Sequence, residues 1–243
     1  MSGGDLSDAD KSKRAAAFAC GQDHLRSGQS IGVGSGTTAK FLVEYIKEKF
    51  ESGELTNIRC VPTSFLTRQW LLEAGLTVTT PEELPNLDIT IDGADEVDQN
   101  FICIKGGGGC LTQEKIVQSC APKFILIAGK DKLSTYLGQN FKFIPIEVVP
   151  FAYVPVKQWI EKEHGGRCEL RMSKKKCGAE ITDNNNYILD WHFPESSVET
   201  DWRSINTSIA CRPGVVETGL FIDVVNYLYL GSADGNVIKR KAK

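Results

Sequence analysis

Between Asp88 and Lys115 the chain reads D-I-T-I-D-G-A-D-E-V-D-Q-N-F-I-C-I-K-G-G-G-G-C-L-T-Q-E-K. Two short apolar runs of strand character, residues 88–91 and 101–104, each stop on a charged residue followed at once by glycine. In open α/β sheets ligands bind in the crevice beyond the carboxyl ends of the strands. Asp92, Asp95 and Lys105 are expected to project there. Four consecutive glycines, Gly106, Gly107, Gly108 and Gly109, cost much chain entropy. Bare backbone is therefore wanted at this point, where it can approach a ligand and offer N–H groups to an anion or oxyanion. Thr112 reads as the N-cap of the next helix, with Glu114 in its first turn, aimed into the same space.

The pattern around this stretch sets the fold class. Residues 11–25 are alanine-rich and read as a helix. A short strand, a glycine turn and an amphipathic helix with Phe41, Leu42, Tyr45 and Ile46 on one face come next. Strand and helix alternate as far as residues 124–128, which argues for a doubly wound, mainly parallel sheet. Near Phe143 the order changes to β-α-β-β-α-β, the split pattern of a small ferredoxin-like α+β domain. The expected division is residues 1–142 with 217–243 for the α/β domain and 143–216 for the insertion. Residues 221–230 and the final G-N-V-I-K-R are expected to return to the first sheet. Residues 1–10 read as a mobile tail.

With 28 Lys+Arg against 31 Asp+Glu in 243 residues, the net charge of -3 gives no case for nucleic acid or an anionic membrane as partner. No apolar run approaches the ~18 residues of a membrane span, and the N-terminus has no signal-like apolar region. A cytoplasmic protein with a small-molecule partner is expected. The 8 cysteines are scattered with no C-x-x-C pair and read as free thiols, mostly small buried apolar residues. The 3 histidines, His24, His164 and His192, are isolated rim residues that form no zinc-type cluster, so no metal site is expected.

The turn G-V-G-S-G-T-T has the grammar of a phosphate cradle: backbone N–H groups at a helix start, with the hydroxyls of Ser35, Thr37 and Thr38 beside Gly36. It is not a Walker loop, because Thr37 and Thr38 follow Gly36 where Lys-Ser/Thr is required. Nor is it a dinucleotide fingerprint, because the second strand ends in Pro62, Thr63 and Ser64 rather than an acid. Lys130 and Lys132 close a further strand. Lys132 either reaches a phosphate or caps that strand end. Glu96 and Asp98 read as surface residues, and Lys174, Lys175 and Lys176 as a solvated loop.

Taken in order, G-V-G-S-G-T-T, V-P-T-S-F, D-G-A-D-E-V-D, K-G-G-G-G-C-L-T-Q-E-K, I-P-I-E-V-V-P and P-G-V-V-E-T-G-L-F resemble the type A ribose-5-phosphate isomerases. The resemblance runs from about Lys11 to the C-terminus. It implies a metal-free, cofactor-free aldose–ketose isomerase of the pentose phosphate pathway, a homodimer or homotetramer, with the small domain in oligomer contacts. It places sugar-phosphate contacts on Ser35, Gly36, Thr37, Thr38, Asp92, Gly93, Ala94, Asp95, Lys105, Gly106, Gly107, Gly108 and Lys132, and a proton acceptor on Glu114. An N-terminal basic residue falls at Lys13 or Arg14.

The residues suit that chemistry. Moving a proton between adjacent carbons passes through an enediol or enediolate and needs a base and an oxyanion stabiliser. Glu114 can be the base, since the helix start favours its ionised form and loss of water on ligand binding raises its basicity. Lys105 and the glycine N–H groups can hold the oxyanion. Asp92 and Asp95 are placed to open the furanose ring and shuttle hydroxyl protons between O1 and O2. The same cradle would also serve a non-catalytic sugar-phosphate sensor, which needs no Glu114. An acyl-CoA transferase of similar architecture would instead use a glutamate as nucleophile.

Overall fold

The computed structural model describes residues 6–242. The chain begins with α1 (Asp8–His24), β1 (Ser30–Val33), α2 (Gly36–Glu51), β2 (Arg59–Pro62), α3 (Phe65–Glu73), β3 (Thr77–Val78) and β4 (Ile89–Asp92). It continues with β5 (Glu96–Val97), β6 (Cys103–Ile104), α4 (Leu111–Ser119), β7 (Phe124–Gly129), β8 (Ile144–Val148), α5 (Tyr153–His164) and β9 (Arg167–Leu170). Last come β10 (Tyr187–His192), α6 (Trp202–Ala210), β11 (Val215–Thr218), β12 (Leu220–Phe221), β13 (Tyr227–Gly231) and β14 (Val237–Lys241). Residues 1–5 of the expected tail lie outside the described residues. Asp8 and Asp10 instead form the first turn of α1, where Ser7 accepts from the Asp10 N–H and the acids complement the helix dipole.

Two compact units divide the chain. The first comprises the chain up to Ala94, Gln113–Leu133 and the chain from Val224; the second comprises Asp95–Thr112 and Ser134–Asp223. Asp95–Thr112, with all four glycines of the run, thus belongs to the second unit.

The first unit is built on a seven-stranded sheet of order β14-β13-β7-β4-β1-β2-β3, parallel except for β14. Its central strands are buried on both faces, which is why they read as continuous apolar runs. Ile31, Val33, Ile89, Ile91, Ile125 and Ile127 pack on one face with α1 and α2. On the other face Thr90 Oγ1 donates to the Val117 carbonyl of α4 at 3.0 Å. From β1 the chain winds outward through β2 and β3, then returns to place β4 on the opposite flank of β1. That reversal is a topological switch point, and a crevice opens at the carboxyl ends of β1 and β4.

In the second unit a four-stranded antiparallel sheet of order β11-β8-β10-β9 carries α5 and α6, the arrangement expected of the β-α-β-β-α-β pattern. Trp191, Ile144, Ile146, Val148, Ile160 and Trp202 lie in its core. A separate three-stranded antiparallel sheet, β12-β6-β5, differs from expectation. Residues 101–104 were expected in the parallel sheet, yet β6 pairs antiparallel with β5 through a tight turn. In that turn Asp98 Oδ1 accepts from the N–H groups of Asn100 and Ile102, and Phe101 takes a φ of 64°. The expected strand over 221–230 is likewise split. Leu220–Phe221 pairs with β6, and only Tyr227–Gly231 returns to the parallel sheet.

Glu96 and Asp98 are buried, not surface residues. Glu96 accepts from the backbone N–H groups of Gly138, Gln139, Asn140 and Phe141, a set of charge-assisted bonds that offsets the cost of burying the carboxylate. Burial pushes the Asp98 carboxyl above its usual range, against the lowering effect of its two N–H donors. All eight cysteines are free thiols, but only Cys20, Cys60, Cys103 and Cys168 are buried. Burial pushes the Cys60 and Cys168 thiols up to about 12, so both remain neutral apolar fillers. No helix among the described residues is long and apolar enough to cross a membrane.

Candidate active site

Three neighbouring strands of the first unit, β7, β4 and β1, lead into expected site residues. After β1 come Gly34 and the turn of Ser35, Gly36, Thr37 and Thr38. β4 ends on Asp92, followed by Gly93 and Ala94, and β7 runs into Lys130, Asp131 and Lys132.

The β1 turn is held by Asp92, which is fully buried. Its Oδ1 accepts the N–H groups of Ser35 at 3.0 Å and Gly93 at 2.7 Å. A Cβ on Gly34 would lie 1.9 Å from that oxygen, so β1 and β4 approach as closely as they do only because residue 34 has no side chain. Gly36 starts α2 with a φ of 86°, a left-handed conformation that favours glycine. Ser35 occupies the N-cap of α2 but makes no side-chain cap bond. Its hydroxyl pairs with Thr63 Oγ1 at 2.7 Å instead, so the Ser35 side chain does not cap the opening N–H groups of α2. From below, Thr67 Oγ1 donates to the Gly34 carbonyl at 2.8 Å. Thr63 and Thr67 are supporting residues that the sequence reading passed over; the V-P-T-S-F segment was the available signal.

Glu114 is 6% exposed, in the first turn of α4. Because α4 feeds the parallel strand β7, it runs back across the sheet and its start lies toward the strand carboxyl ends. Thr90, two residues before Asp92, bonds to α4. Alternate residues of a strand share a face, so Asp92 and Glu114 lie on the same side of the sheet. Thr112 is not an N-cap: it lies inside the helix, and its hydroxyl donates to Glu147 Oε2 at 2.6 Å. Glu147 is fully buried and also accepts from Thr182, Asn184 and Asn186, a charge-assisted set that offsets the cost of burying it.

Lys132 is half-buried and stands 3.7 Å from the Asp131 carboxylate. Lys13 is 3.2 Å from Asp10, whereas Arg14 lies over the Phe18 ring and 3.6 Å from Glu48.

The second unit carries the remaining expected residues. Lys105 follows β6, so it projects from the small antiparallel sheet rather than from the parallel one. It is 2% exposed, with its Nζ 5.3 Å from the centre of the Phe221 ring. Gly106 to Gly109 close a turn through a 2.9 Å bond from the Gly109 N–H to the Gly106 carbonyl. Asp95 Oδ2 accepts the Gly107 N–H at 2.7 Å. Gly107 and Gly108 are exposed. Arg171, which nothing in the sequence marked, donates from Nη1 to the carbonyls of Gly106 and Gly107.

Comparison with known proteins places the chain in a family. The family described as ribose 5-phosphate isomerase A (phosphoriboisomerase A) matches residues 59–235. A probable ribose 5-phosphate isomerase of Caenorhabditis elegans is 51% identical, over 96% of this chain and 93% of its own. Ribose 5-phosphate isomerase from Plasmodium falciparum superposes with a TM-score of 0.90 at 34% identity, over 96% of this chain and 99% of its own. A D-ribose-5-phosphate isomerase solved in complex with phospho-erythronic acid gives 0.89 at 33% identity, over 97% of this chain and 100% of its own. The chain belongs to the ribose 5-phosphate isomerase A family, the isomerases that interconvert ribose 5-phosphate and ribulose 5-phosphate in the pentose phosphate pathway.

Proposed function

We propose that this chain interconverts D-ribose 5-phosphate and D-ribulose 5-phosphate through an enediolate, with Glu114 as the base. The observation that carries this reading is the placement of two buried carboxylates, Asp92 and Glu114, on one side of the sheet at its switch point. The phosphate is held by the α2 start, through the N–H groups and hydroxyls of Ser35, Gly36, Thr37 and Thr38, with Lys132 as counter-charge. Asp92 opens the furanose ring, with Asp95 beside it in sequence; Gly93 and Ala94 line the sugar. Glu114 then takes the C2 proton of the open aldose, and the electron pair forms the C1–C2 double bond while O1 becomes the oxyanion. Lys105 and the N–H groups of the Gly106, Gly107 and Gly108 run stabilise that charge. A proton passes from O2 to O1 by way of Asp92, and protonated Glu114 delivers its proton to C1. All steps use side chains and backbone of this chain.

The test is proton NMR of ribose 5-phosphate in D₂O with chelator-treated protein. Ribulose 5-phosphate carrying solvent deuterium supports the reading. Binding without turnover would make the protein a sugar-phosphate sensor instead. The cradle has its own check. Thr37→Tyr should raise KM for ribose 5-phosphate by about 10-fold, as expected when a charge-assisted contact worth ~1.5–3 kcal/mol is blocked. An unchanged KM would place the phosphate elsewhere.

We further place the enzyme in the cytoplasm as a homodimer or homotetramer. Four buried free thiols suit a reducing compartment. In the second unit Val149, Phe151 and Val154 expose apolar surface, Phe151 to 97%, which supports subunit contacts there. Sedimentation of Phe151→Asp should reveal smaller species than the unsubstituted protein.

A further inference from the structure

We propose that Arg171, held by Asp190, is the positioning residue that aims the Gly108 N–H at the reacting oxygen. The inference rests on the isomerase reading above and adds a residue that reading does not use. Arg171 follows β9, and its side chain is 14% exposed. Its Nε donates to Asp190 Oδ2 at 2.9 Å and its Nη2 to Asp190 Oδ1 at 2.5 Å. This bidentate fork fixes the plane of the guanidinium. The remaining nitrogen, Nη1, then donates to the Gly106 carbonyl at 3.1 Å and the Gly107 carbonyl at 3.2 Å.

Holding a carbonyl also sets the following N–H, because across a trans peptide the two point in opposite directions. The first of the two peptides demonstrates this. Its carbonyl, on Gly106, faces Arg171, and its N–H, on Gly107, reaches Asp95 Oδ2 at 2.7 Å on the far side. In the second peptide the Gly107 carbonyl faces Arg171, so the Gly108 N–H is turned the same way as the first. Gly108 is exposed and a Cβ added to it would meet nothing within 4 Å, so this peptide borders open space that a ligand can enter. A glycine turn has little intrinsic preference among peptide orientations. Two carbonyls gripped by one rigid cation select one of them, and a preorganised donor acts on the transition state at no cost in reorientation. A lysine ammonium cannot do the same, since a single flexible point charge does not bridge a carboxylate and two carbonyls in one plane.

Arg171→Lys and Asp190→Asn provide the test, each assayed with ribose 5-phosphate and with phospho-erythronic acid as inhibitor. Its carboxylate stands in for the planar, negatively charged C1–C2 unit of the enediolate. A donor that acts in the transition state gives a fall in kcat of about 10- to 100-fold with KM changed less than about 3-fold. The inhibition constant should rise in parallel with the loss in kcat/KM. Asp190→Asn keeps the shape of the pair and should show the smaller loss in the same direction. A residue needed only for folding would lower the melting temperature while leaving kcat per folded molecule and the inhibition constant at wild-type values, and that result overturns the proposal. A rise in KM alone overturns it too. Unsubstituted protein that binds ribose 5-phosphate without isomerising it removes the isomerase reading and this inference together.

Discussion

Glu114→Gln is expected to lower kcat by at least ~10²-fold while ribose 5-phosphate still binds. Glutamine matches glutamate in size, so the buried first turn of α4 keeps its packing. The amide cannot accept a proton from carbon, and loss of a general base typically removes ~10²–10⁴ in rate. The proposed mechanism puts the phosphate and hydroxyl contacts on other residues, so the substrate dissociation constant should change little. Steady-state kinetics, a binding titration and the rate of C2 proton exchange into D₂O together decide the point. Exchange should fall in step with kcat if Glu114 touches that proton. Near-normal turnover would remove Glu114 from the mechanism, and loss of binding with normal single-turnover chemistry would make it a substrate contact.

The place of Glu114 in the first turn of a helix was legible in the sequence because its neighbours restrict it: a charged strand end, a glycine run and a helix start within a few residues. The parallel sheet was legible for a similar reason, since strands buried on both faces leave uninterrupted apolar runs such as Phe124–Gly129. The partner of a two-residue strand was not legible. β6 carries only Cys103 and Ile104, too short a run for periodicity to tell a parallel neighbour from an antiparallel one, and the hairpin depends on a left-handed Phe101 that no propensity favours. Glu96 was misplaced because a carboxylate in a strand next to two aspartates reads as surface. What holds it inside is a loop more than forty residues later that brings four N–H groups to it. Thr112 fits the local rule for a helix cap and was captured by Glu147, a partner thirty-five residues away. Arg171 and Asp190 were hidden for the same reason, since neither lies near a glycine turn in the sequence and only the β9–β10 pairing makes them a clamp. Short-range grammar marked the candidate residues, and long-range polar contacts supplied the residues packed around them.

Gly34→Ala should be severely damaging even though its backbone conformation suits any residue. The added Cβ would stand 1.9 Å from Asp92 Oδ1, 2.2 Å from its Cγ and 2.5 Å from its Cα. The first two could yield by rotation of the side chain, but the Cα cannot move unless β4 parts from β1. Those strands are paired through Ile31, Gly32 and Val33 at the centre of the sheet, so relief there strains the core on both faces. Overpacking of this kind costs ~1–3 kcal/mol, occasionally more. At ~2–4 °C per kcal/mol for a chain of this size, a cost near the upper end lowers the melting temperature by roughly 6–12 °C. Any rotation of Asp92 also releases the Ser35 and Gly93 N–H groups, which loosens the turn after β1 and the end of β4 in one step. kcat/KM should therefore fall by at least about 100-fold even at temperatures where the variant remains folded. Gly93→Ala is the contrast, since its Cβ would meet nothing nearer than 3.8 Å and its melting temperature should stay within about 2 °C of wild type. Equal melting temperatures for the two variants would mean that β1 and β4 can separate without cost, and the switch point would then be a flexible cleft rather than a fixed frame for Asp92.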